Sequence, residues 1–427
     1  MAVKAKKQKR ILTAEEKKAR RKKRSRIALV VIVDIIAAII IFLFACAGLN
    51  KSALKSNLEF IKSFDMVTYD AQLVPEIADD GYYTFVTDDD FNIMQVTDVH
   101  LGAGCFSKGK DAKALETVAA MVSAEKPDLV MVTGDIAFPM PTHSGTADNK
   151  NSAMLFAELM EQLGVYWAPV FGNHDTESYS KYTRAEIAEF YSGGAYPHCL
   201  LQSGPEDVDG YCNYVINIKN SQGKITQSLI MLDTLSYIGE RAIDGIIMKY
   251  DRIHDNQIEW YKQQVAFLTQ ENGGETPKSL CFFHIPLIEY QDAWTEYANN
   301  GYQDTDNVKL IYGKVGEIDE MICCPEENCG LFDVAKELGS TQGFFCGHDH
   351  LNTYSLDYKG IRLTYGNSVD YLAYFRIAKY GAQRGCTMIK VMPDGSFDVV
   401  PESYYQEKYN ALDKKEKLNM GSYMMAE

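Results

Sequence analysis

Metal-binding side chains occur in five short clusters along the chain. In order, these are Asp98-Val99-His100, Gly134-Asp135, Gly172-Asn173-His174-Asp175, His284 and Gly347-His348-Asp349-His350. The whole chain has eight histidines, and five of them fall in these clusters. Carboxylate, imidazole and amide groups all donate lone pairs to metals, and an aspartate can place one oxygen on each of two cations. The clusters therefore predict a site for two metal ions, with Asp135 as the bridging ligand.

The segments before the clusters indicate how they are positioned. Residues 91–96, 129–132 and 165–171 are apolar, β-branched or aromatic runs, and they predict buried parallel strands. Residues 112–126 and 153–163 have helical spacing and separate these runs. Alternation of strand and helix predicts an α/β fold, in which the carboxyl ends of the strands converge on one edge of the sheet. Further strands are predicted at residues 82–87, 229–232, 280–283, 343–345, 361–365, 386–392 and 396–400.

The five clusters together resemble the signature of the calcineurin-like metallophosphoesterases, written D-x-H, G-D, G-N-H-D/E, H and G-H-x-H. The match extends over about residues 91–351. The resemblance implies a four-layer αββα sandwich and two metal ions, with iron, manganese or zinc as candidates. It assigns Asp98, His100, Asp135 and His350 to the first metal, and Asp135, Asn173, His284 and His348 to the second. It also implies that His174 faces the substrate.

One position refines the resemblance. Purple acid phosphatases have an iron-binding tyrosine three residues after the Gly-Asp aspartate, whereas this chain has Phe138, which has no donor atom. That branch normally lacks the first-motif histidine, which is present here as His100. We therefore expect a colourless site, closed by imidazole. Three further segments resemble the cytoplasmic-type purple-acid-like phosphatases of fungi and plants more loosely: residues 209–214, 232–234 and 255–260.

The chemistry expected of such a site is phosphoester hydrolysis. Two cations about 3.5–4 Å apart lower the pKa of a bridging water, so that hydroxide attacks in line while the metals hold the phosphoryl oxygens. His174 would assist the leaving group by donating a proton or stabilising its charge. Asp175 would orient the His174 imidazole by a hydrogen bond. The predicted activity is a metal-dependent phosphoric ester hydrolase, either phosphatase or phosphodiesterase.

The amino-terminal charge distribution predicts a membrane segment. Residues 1–26 contain thirteen Lys and Arg against Glu15 and Glu16, a balance of +11, so the remaining residues carry −26 toward the total of −15. Residues 27–48 are apolar except for Asp34, and about 20 apolar residues suffice for a transmembrane helix. A basic flank before the span favours a cytoplasmic amino terminus and an extracytoplasmic catalytic domain. A buried core helix and a nucleic-acid-binding arm are the alternatives for this region.

Processing of this segment is left open by the sequence. Residues 43–46 resemble a bacterial lipoprotein site, and small residues from Ala45 to Gly48 suit signal peptidase. We favour an uncleaved single-pass signal anchor. The predicted organisation is a basic arm (1–26), the anchor (27–48), a tether (49–80), a metallophosphoesterase domain (81–405) and a polar tail (406–427).

The other histidines and the cysteines are predicted to be structural. His143 lies in a Pro- and Gly-containing loop and is expected at the surface, and His198 and His254 are expected to pack or to line a rim. The loop with Cys323, Cys324 and Cys329 allows a zinc site, a disulfide or free thiols, and we favour the last two. Aromatic residues of the insertion at 289–329 are expected either to line a binding rim or to pack onto the domain.

Two functions are compatible with the sequence. The first is an active phosphoesterase acting on phosphorylated small molecules or other phosphoesters, in membrane-anchored, secreted or lipoprotein form. The second is a membrane-anchored, metal-containing binding protein without turnover. The acidic outer domain would repel polyanions, so no nucleic-acid partner is expected. The oligomeric state is not predicted.

Overall fold

The structure, a computed structural model, describes residues 13–239, 249–374, 377 and 384–409, without the side chains of residues 38–44. The chain divides into two units, Met1–Lys51 and Ser52–Glu427. Residues 1–12 of the predicted arm and residues 410–427 of the predicted tail lie outside the described part. The domain boundaries drawn from the sequence therefore remain predictions.

Most of helix α1 (Ala14–Ile61) belongs to the first unit. The predicted anchor at residues 27–48 lies within this helix. Among the described residues, no helix has the length and apolar character that crossing a membrane requires. Seven residues of the predicted anchor, 38–44, have side chains outside the described part.

A five-stranded sheet holds the first three clusters. Its strand order is β14-β13-β3-β4-β5. Strands β3, β4 and β5 pair in parallel, with β5 at one edge, and β13 and β14 extend the other side of the sheet in antiparallel fashion. The strands are β3 (Phe91–Val96), β4 (Leu129–Thr133), β5 (Trp167–Val170), β13 (Gly385–Val391) and β14 (Phe397–Ser403). All five residues of β4 are buried, as expected of a central parallel strand covered on both faces.

A nine-stranded mixed sheet holds the last two clusters. Its order is β1-β2-β6-β7-β8-β10-β12-β11-β9, and β7, β8, β10 and β12 run in parallel. The strands are β1 (Glu76–Ile77), β2 (Tyr83–Val86), β6 (Tyr214–Lys219), β7 (Ile225–Met231), β8 (Ser279–Phe282), β9 (Val308–Tyr312), β10 (Thr341–Cys346), β11 (Ser355–Tyr358) and β12 (Ile361–Tyr365).

The two sheets pack face to face, and helices cover their outer faces. Alternate residues of β8 show this arrangement, because Leu280 and Phe282 join the core between the sheets while Cys281 joins the core under the outer helices. Phe282 stacks on Phe345 of β10, with ring centroids 5.0 Å apart. The remaining helices of the domain are α2 (Lys108–Glu125), α3 (Pro141–Ser144), α4 (Asn149–Leu163), α5 (Arg184–Ser192), α6 (Asp255–Glu271), α7 (Ile288–Asn299) and α8 (Leu331–Leu338).

These layers are the predicted αββα order. Helices α2 and α4 connect β3, β4 and β5 and pack on the five-stranded sheet, while α6, α7 and α8 lie on the nine-stranded one. The strands β1, β6, β9 and β11 were not predicted: β1 has two residues and lies in the predicted tether, and the other three lie among loops and insertions. Aromatic residues of the insertion pack into the domain: Trp294 is buried and stacks on Tyr354 at 5.3 Å. Of its two predicted roles, packing is the one observed.

Candidate metal centre

The five clusters meet where the carboxyl ends of the two sheets adjoin. Asp98 and His100 follow β3, Asp135 follows β4, and Asn173 and His174 follow β5. From the other sheet, His284 follows β8, and His348 and His350 follow β10. A parallel bridge between Thr97 and Ser368 joins the segment after β3 to the segment after β12. Asp98 and His350, which are 252 positions apart, are thereby brought into contact.

The first group of potential ligands consists of Asp98, His100, Asp135 and His350. Asp98, His100 and His350 offer ligand atoms that all lie within 4.8 Å of one another. The Nε2 of His350 lies 3.4 Å from Asp98 Oδ1, and the Nε2 of His100 lies 3.3 Å from Asp135 Oδ2. Asp98 and His100 are 1% exposed. The nitrogens and oxygens therefore face one another across a small buried space.

The second group consists of Asp135, Asn173, His284 and His348. The Nε2 of His284 lies 3.1 Å from Asp135 Oδ2, 3.2 Å from the Asn173 amide oxygen and 3.3 Å from His348 Nδ1. The Nδ1 of His284 lies 2.8 Å from the backbone carbonyl of Thr133, so Nδ1 carries the proton and Nε2 carries the lone pair. The lone pairs of this group thus converge on one point.

Asp135 belongs to both groups, as the sequence predicts, but in a different manner. We expected one carboxylate oxygen for each metal. Instead Oδ2 faces both groups, while Oδ1 accepts a hydrogen bond of 2.7 Å from the backbone N–H of His174. Asp135 Oδ2 is therefore the oxygen that both groups share, and the backbone N–H of His174 holds the other oxygen.

The loops that present the ligands have unusual backbone conformations. Asp98, His100, Asp135 and His348 have φ values of 52°, 51°, 53° and 77°. Each such non-glycine residue costs about 1–3 kcal/mol, and strain of this kind concentrates at functional sites. Gly172 also permits a close approach, because a Cβ there would lie 2.1 Å from Asp135 Oδ1.

The donor set fits metal cations. Asp98 Oδ1 is buried without a hydrogen-bond partner, and two imidazole nitrogens, His284 Nε2 and His348 Nδ1, face each other. Burial opposes ionisation of Asp135, yet the charges of His284 and His174 lower its pKa well below the usual range. For His284, burial is outweighed by Asp135, which raises its pKa to about 9. A bound cation would satisfy these converging lone pairs, as imidazole and carboxylate do in transition-metal sites.

The two predicted catalytic residues have different partners. The His174 ring is part-exposed and its Nδ1 lies 2.8 Å from Glu177 Oε1. Asp175 does not contact that ring, so its predicted orienting role is wrong. Its carboxylate instead accepts hydrogen bonds from the backbone N–H groups of Asp135, Ala137 and Gly172, at 3.0, 2.8 and 2.8 Å.

Through these contacts Asp175 stabilises the loops that carry the second and third clusters. By bonding three backbone donors it ties the loop of Asp135 to the loop of Gly172. Burial and the charge of Asp135 raise the pKa of Asp175 to about 6. The orienting partner of His174 is Glu177, three residues further along. Sequence reasoning missed it because the carboxylate next to a histidine is the more obvious candidate.

Phe138 lies against the first group. Its ring meets the rings of His100 and His174 edge to face, with centroids 5.4 and 5.0 Å away. The side chain is 5% exposed. An apolar ring therefore lies beside His100 and His174, at the sequence position where the resemblance to purple acid phosphatases would imply a tyrosine. The expected lack of colour stays a prediction.

Asp370 is a residue that sequence reasoning did not find. It follows β12, is fully buried, and its two oxygens face His100 Nδ1 at 3.6 Å and His350 Nδ1 at 3.3 Å. Burial opposes its ionisation, but His100 and His350 lower its pKa far below the usual value. The available signal was a single Asp after a predicted strand, which also fits an ordinary turn.

Other polar residues surround the second group. The Asn173 side-chain amide donates to Tyr237 Oη at 2.9 Å, and Tyr250 contacts the ring of His348 edge to face at 4.5 Å. Cys323 offers a thiol within 4.8 Å of ligand atoms of His348 and Asp349. All ten cysteines are free thiols, so no disulfide forms in the loop of Cys323.

The three remaining histidines lie outside the two groups. His143 is exposed at the surface, as predicted. His198 pairs with Glu161 at 2.6 Å. His254 caps the amino terminus of α6 and contacts Asp209 and Asp251 at 2.6 and 3.1 Å. Their expected structural roles agree with these contacts.

Comparison with known proteins shows which family this chain resembles. The model of the calcineurin-like phosphoesterase family matches residues 91–313, which is more than half of the 427 residues. Among similar proteins, the Arabidopsis thaliana "Probable inactive purple acid phosphatase 14" is 29% identical over 69% of this chain and 74% of its own length. "Probable inactive purple acid phosphatase 28" of the same plant is 26% identical over 68% of this chain and 73% of its own length.

A fungal relative has a different description. "Phosphatase DCR2" of Saccharomyces cerevisiae is 27% identical over 62% of this chain and 45% of its own length. The matched family segment contains β3, β4, β5 and β8, and with them all the clusters up to His284. This chain belongs to the calcineurin-like phosphoesterase family.

Proposed function

We propose that this protein hydrolyses phosphoric esters at a two-metal centre held by seven side chains. The proposed ligands are Asp98, His100, Asp135, Asn173, His284, His348 and His350. The observation that carries the proposal is the position of Asp135 Oδ2, which lies 3.3 Å from His100 Nε2 and 3.1 Å from His284 Nε2. An oxygen that faces two converging ligand groups suits a pair of neighbouring cations.

Bound cations would supply a water of lowered pKa and positive charge for the phosphoryl oxygens. The chain itself supplies the group that assists departure of the leaving oxygen. Because Glu177 occupies Nδ1 of His174, Nε2 is the nitrogen left to donate a proton. The backbone N–H of His174 bonds Asp135, so the same residue connects the proton donor with the bridging carboxylate.

Phosphate binding falls mainly to the metals and His174. Arg184 is engaged with Asp233 at 2.5 Å and with the Gly172 carbonyl at 2.9 Å. Arg384 donates to the Asp370 carbonyl at 2.7 Å. These arginines support loops of the centre. The proposal therefore favours small phosphoesters over polyanions, in line with the acidic charge of the domain.

The alternative is a metal-containing binding protein without turnover. The names of the two plant relatives favour it, since both contain the words "probable inactive". The yeast relative's name, "Phosphatase", favours hydrolysis. In this chain the complete ligand set and His174 come together in one place, which is why we propose activity.

The deciding assay uses the purified full-length protein in detergent. It is supplied in turn with manganese, iron and zinc, and offered a monoester and a diester of p-nitrophenol. We expect hydrolysis of at least one ester. His174→Ala should retain both metals and lose about 10²–10⁴-fold in turnover, the usual contribution of a positioned proton donor. Asp135→Ala should lose metal.

His198→Ala is the matched control. Its side chain is 25% exposed against 24% for His174, and its Nδ1 also pairs with a glutamate. This control should keep the parent turnover because His198 lies outside the centre. Metal binding without hydrolysis under every metal would favour the binding protein. Parent-rate hydrolysis by His174→Ala would remove His174 from the mechanism.

We also propose that residues 27–48 attach the protein to a membrane, with the catalytic domain outside the cytoplasm. The eight large apolar residues described between Ile27 and Ile36 are each 49–62% exposed, and thirteen basic residues precede them. Exposed apolar surface of this kind favours a lipid environment. Retention in membranes after alkaline carbonate washing would support attachment. Protease sensitivity of the domain in intact cells would test its side.

A further inference from the structure

We propose that Asp370 is a positioning residue that sets the proton positions of both imidazoles in the first group, His100 and His350. The inference rests on the proposed function in one respect, since it assumes that the first group binds a metal. It predicts that Asp370 affects the affinity for the metal of the first group and leaves the affinity for the metal of the second group unchanged. No cluster of the sequence contains this residue.

The geometry matches each oxygen with one ring. Asp370 Oδ1 lies 3.6 Å from His100 Nδ1, and Oδ2 lies 3.3 Å from His350 Nδ1. Neither buried Nδ1 forms a hydrogen bond, so each remains available to donate toward the facing Asp370 oxygen. The opposite nitrogens point into the first group, with His100 Nε2 near Asp135 and His350 Nε2 near Asp98. One carboxylate thus stands behind both imidazoles.

Asp370 is itself held firmly. Its Oδ1 accepts hydrogen bonds from the backbone N–H groups of Leu372 and Ala373 at 2.6 and 2.8 Å. Its Oδ2 accepts one from the backbone N–H of Tyr374. The Arg384 side chain bonds the Asp370 carbonyl at 2.7 Å, and its guanidinium lies 4.0 Å from the ring centroid of Tyr371. These contacts fix the carboxylate before any metal binds.

The chemical consequence follows from the two tautomers of imidazole. A neutral histidine has one N–H and one lone pair, and the partner of one nitrogen decides which is which. A carboxylate accepts on both oxygens, so it directs an N–H from each ring toward itself. Both Nε2 atoms are then left with lone pairs for the metal. Outer-shell carboxylates of this kind typically change metal affinity by about 10–100-fold.

An asparagine at position 370 could set the proton position of only one of the two imidazoles. Its amide has one acceptor oxygen and one donor nitrogen, so it can accept an N–H from only one imidazole. The amide N–H₂ group would face the other Nδ1 and favour the tautomer whose Nε2 carries the proton. That nitrogen could no longer bind the metal.

The second group does not depend on Asp370. Its His284 has Nδ1 at 2.8 Å from the Thr133 carbonyl, which sets the same tautomer independently. Substitution of Asp370 should therefore act on one of the two metals. An effect on one metal indicates that Asp370 positions the imidazoles of the first group, whereas general destabilisation of the protein would weaken both metals.

The test is titration of the metal-free full-length protein with Mn²⁺, followed by calorimetry and by electron paramagnetic resonance. In the parent we expect two sites. Asp370→Asn should weaken one of them by about 10–100-fold and leave the other within about threefold. His350→Ala and His284→Ala serve as references that damage the first and the second group respectively. The site that Asp370→Asn weakens should be the same site that His350→Ala damages.

Asp111→Asn is the matched control. Asp111 is 1% exposed, and its carboxylate accepts from the backbone N–H groups of Gly102 and Ala103 at 2.9 and 3.0 Å, without touching an imidazole. The control should keep both sites. Unchanged binding in Asp370→Asn, or equal weakening of both sites, would overturn the inference. A parent that bound no metal would refute the proposed function itself.

A second measurement needs no Asp370 variant. Zinc-loaded protein is prepared with ¹⁵N-labelled histidine. NMR correlations between the ring nitrogens and the carbon-bound ring protons then show which ring nitrogen is protonated. Comparison with His350→Ala assigns that ring's signals. We expect the proton of His350 on Nδ1 and the metal on Nε2. A proton on Nε2 would contradict the inference even if every Asp370 variant failed to fold.

Discussion

Replacing Gly172 with alanine should disable the metal centre although no ligand is removed. A Cβ at this position would lie 2.1 Å from Asp135 Oδ1 and 2.5 Å from the backbone nitrogen of Asp135. Ordinary contacts begin near 3.4 Å, so relief of the closer contact requires a shift of about 1.3 Å. The loop cannot yield easily, because Asp175 ties it to Asp135 through backbone hydrogen bonds.

The size of the effect follows from what Asp135 does. Its Oδ2 faces both ligand groups, so a displacement of the carboxylate reaches both proposed metals. A misplacement of about 1 Å can cost about 100-fold in rate. Overpacking a close contact of this kind also costs about 1–3 kcal/mol in the free energy of unfolding. We therefore expect about 100-fold lower turnover and reduced metal content.

Three measurements on Gly172→Ala test the reasoning: metal per chain by mass spectrometry, hydrolysis of an aryl phosphate, and urea unfolding. The control is Gly109→Ala in α2, where a Cβ meets no atom within 4 Å. That variant should be more stable than the parent by about 0.5–1 kcal/mol, with unchanged turnover. If Gly172→Ala kept the metal content and turnover of the parent, the close approach to Asp135 would have no functional importance.

Three further predictions concern residues around the centre. Glu177→Gln should lower turnover by about 10–100-fold with unchanged metal content, because Glu177 holds His174 Nδ1 at 2.8 Å; equal rates would refute this role. Arg184→Met should lower the free energy of unfolding by about 3–5 kcal/mol, since it leaves the fully buried Asp233 without its cation; a loss below about 1 kcal/mol in urea titrations would contradict this. For His254, partial burial lowers the pKa, but hydrogen bonds to Asp209 and Asp251 raise it above the ordinary histidine value of 6.5. The stabilisation by this histidine is therefore complete below pH 6.5 and is lost as the pH rises through the folded-state value, so His254→Asn should be more destabilising at pH 6 than at pH 9 in thermal melts.

The pattern of the sequence alone predicts much of the fold. The predicted strands at residues 91–96 and 361–365 coincide with β3 and β12, because both segments are rich in apolar and aromatic residues and nearly all of their residues are buried. Helices α2 and α4 follow equally from their spacing. The edge strand β9 was missed, because its alternate residues face solvent and its run is short. Strand β6 was missed although five of its six residues are buried, so burial alone does not make a strand readable from the sequence.

The ligand types and their order were readable along the chain, because only a few side chains donate lone pairs to metals and each cluster follows a strand. Which carboxylate contacts which histidine was decided by the tertiary structure. Asp175 and Glu177 lie one and three residues from His174, and only the folded loop shows that Glu177 reaches the ring. Asp370 is 270 residues from His100, and a single strand-end aspartate has no distinguishing pattern. Its place behind two imidazoles exists because the segments after β3 and β12 lie side by side, a contact between two sheets that no local pattern encodes.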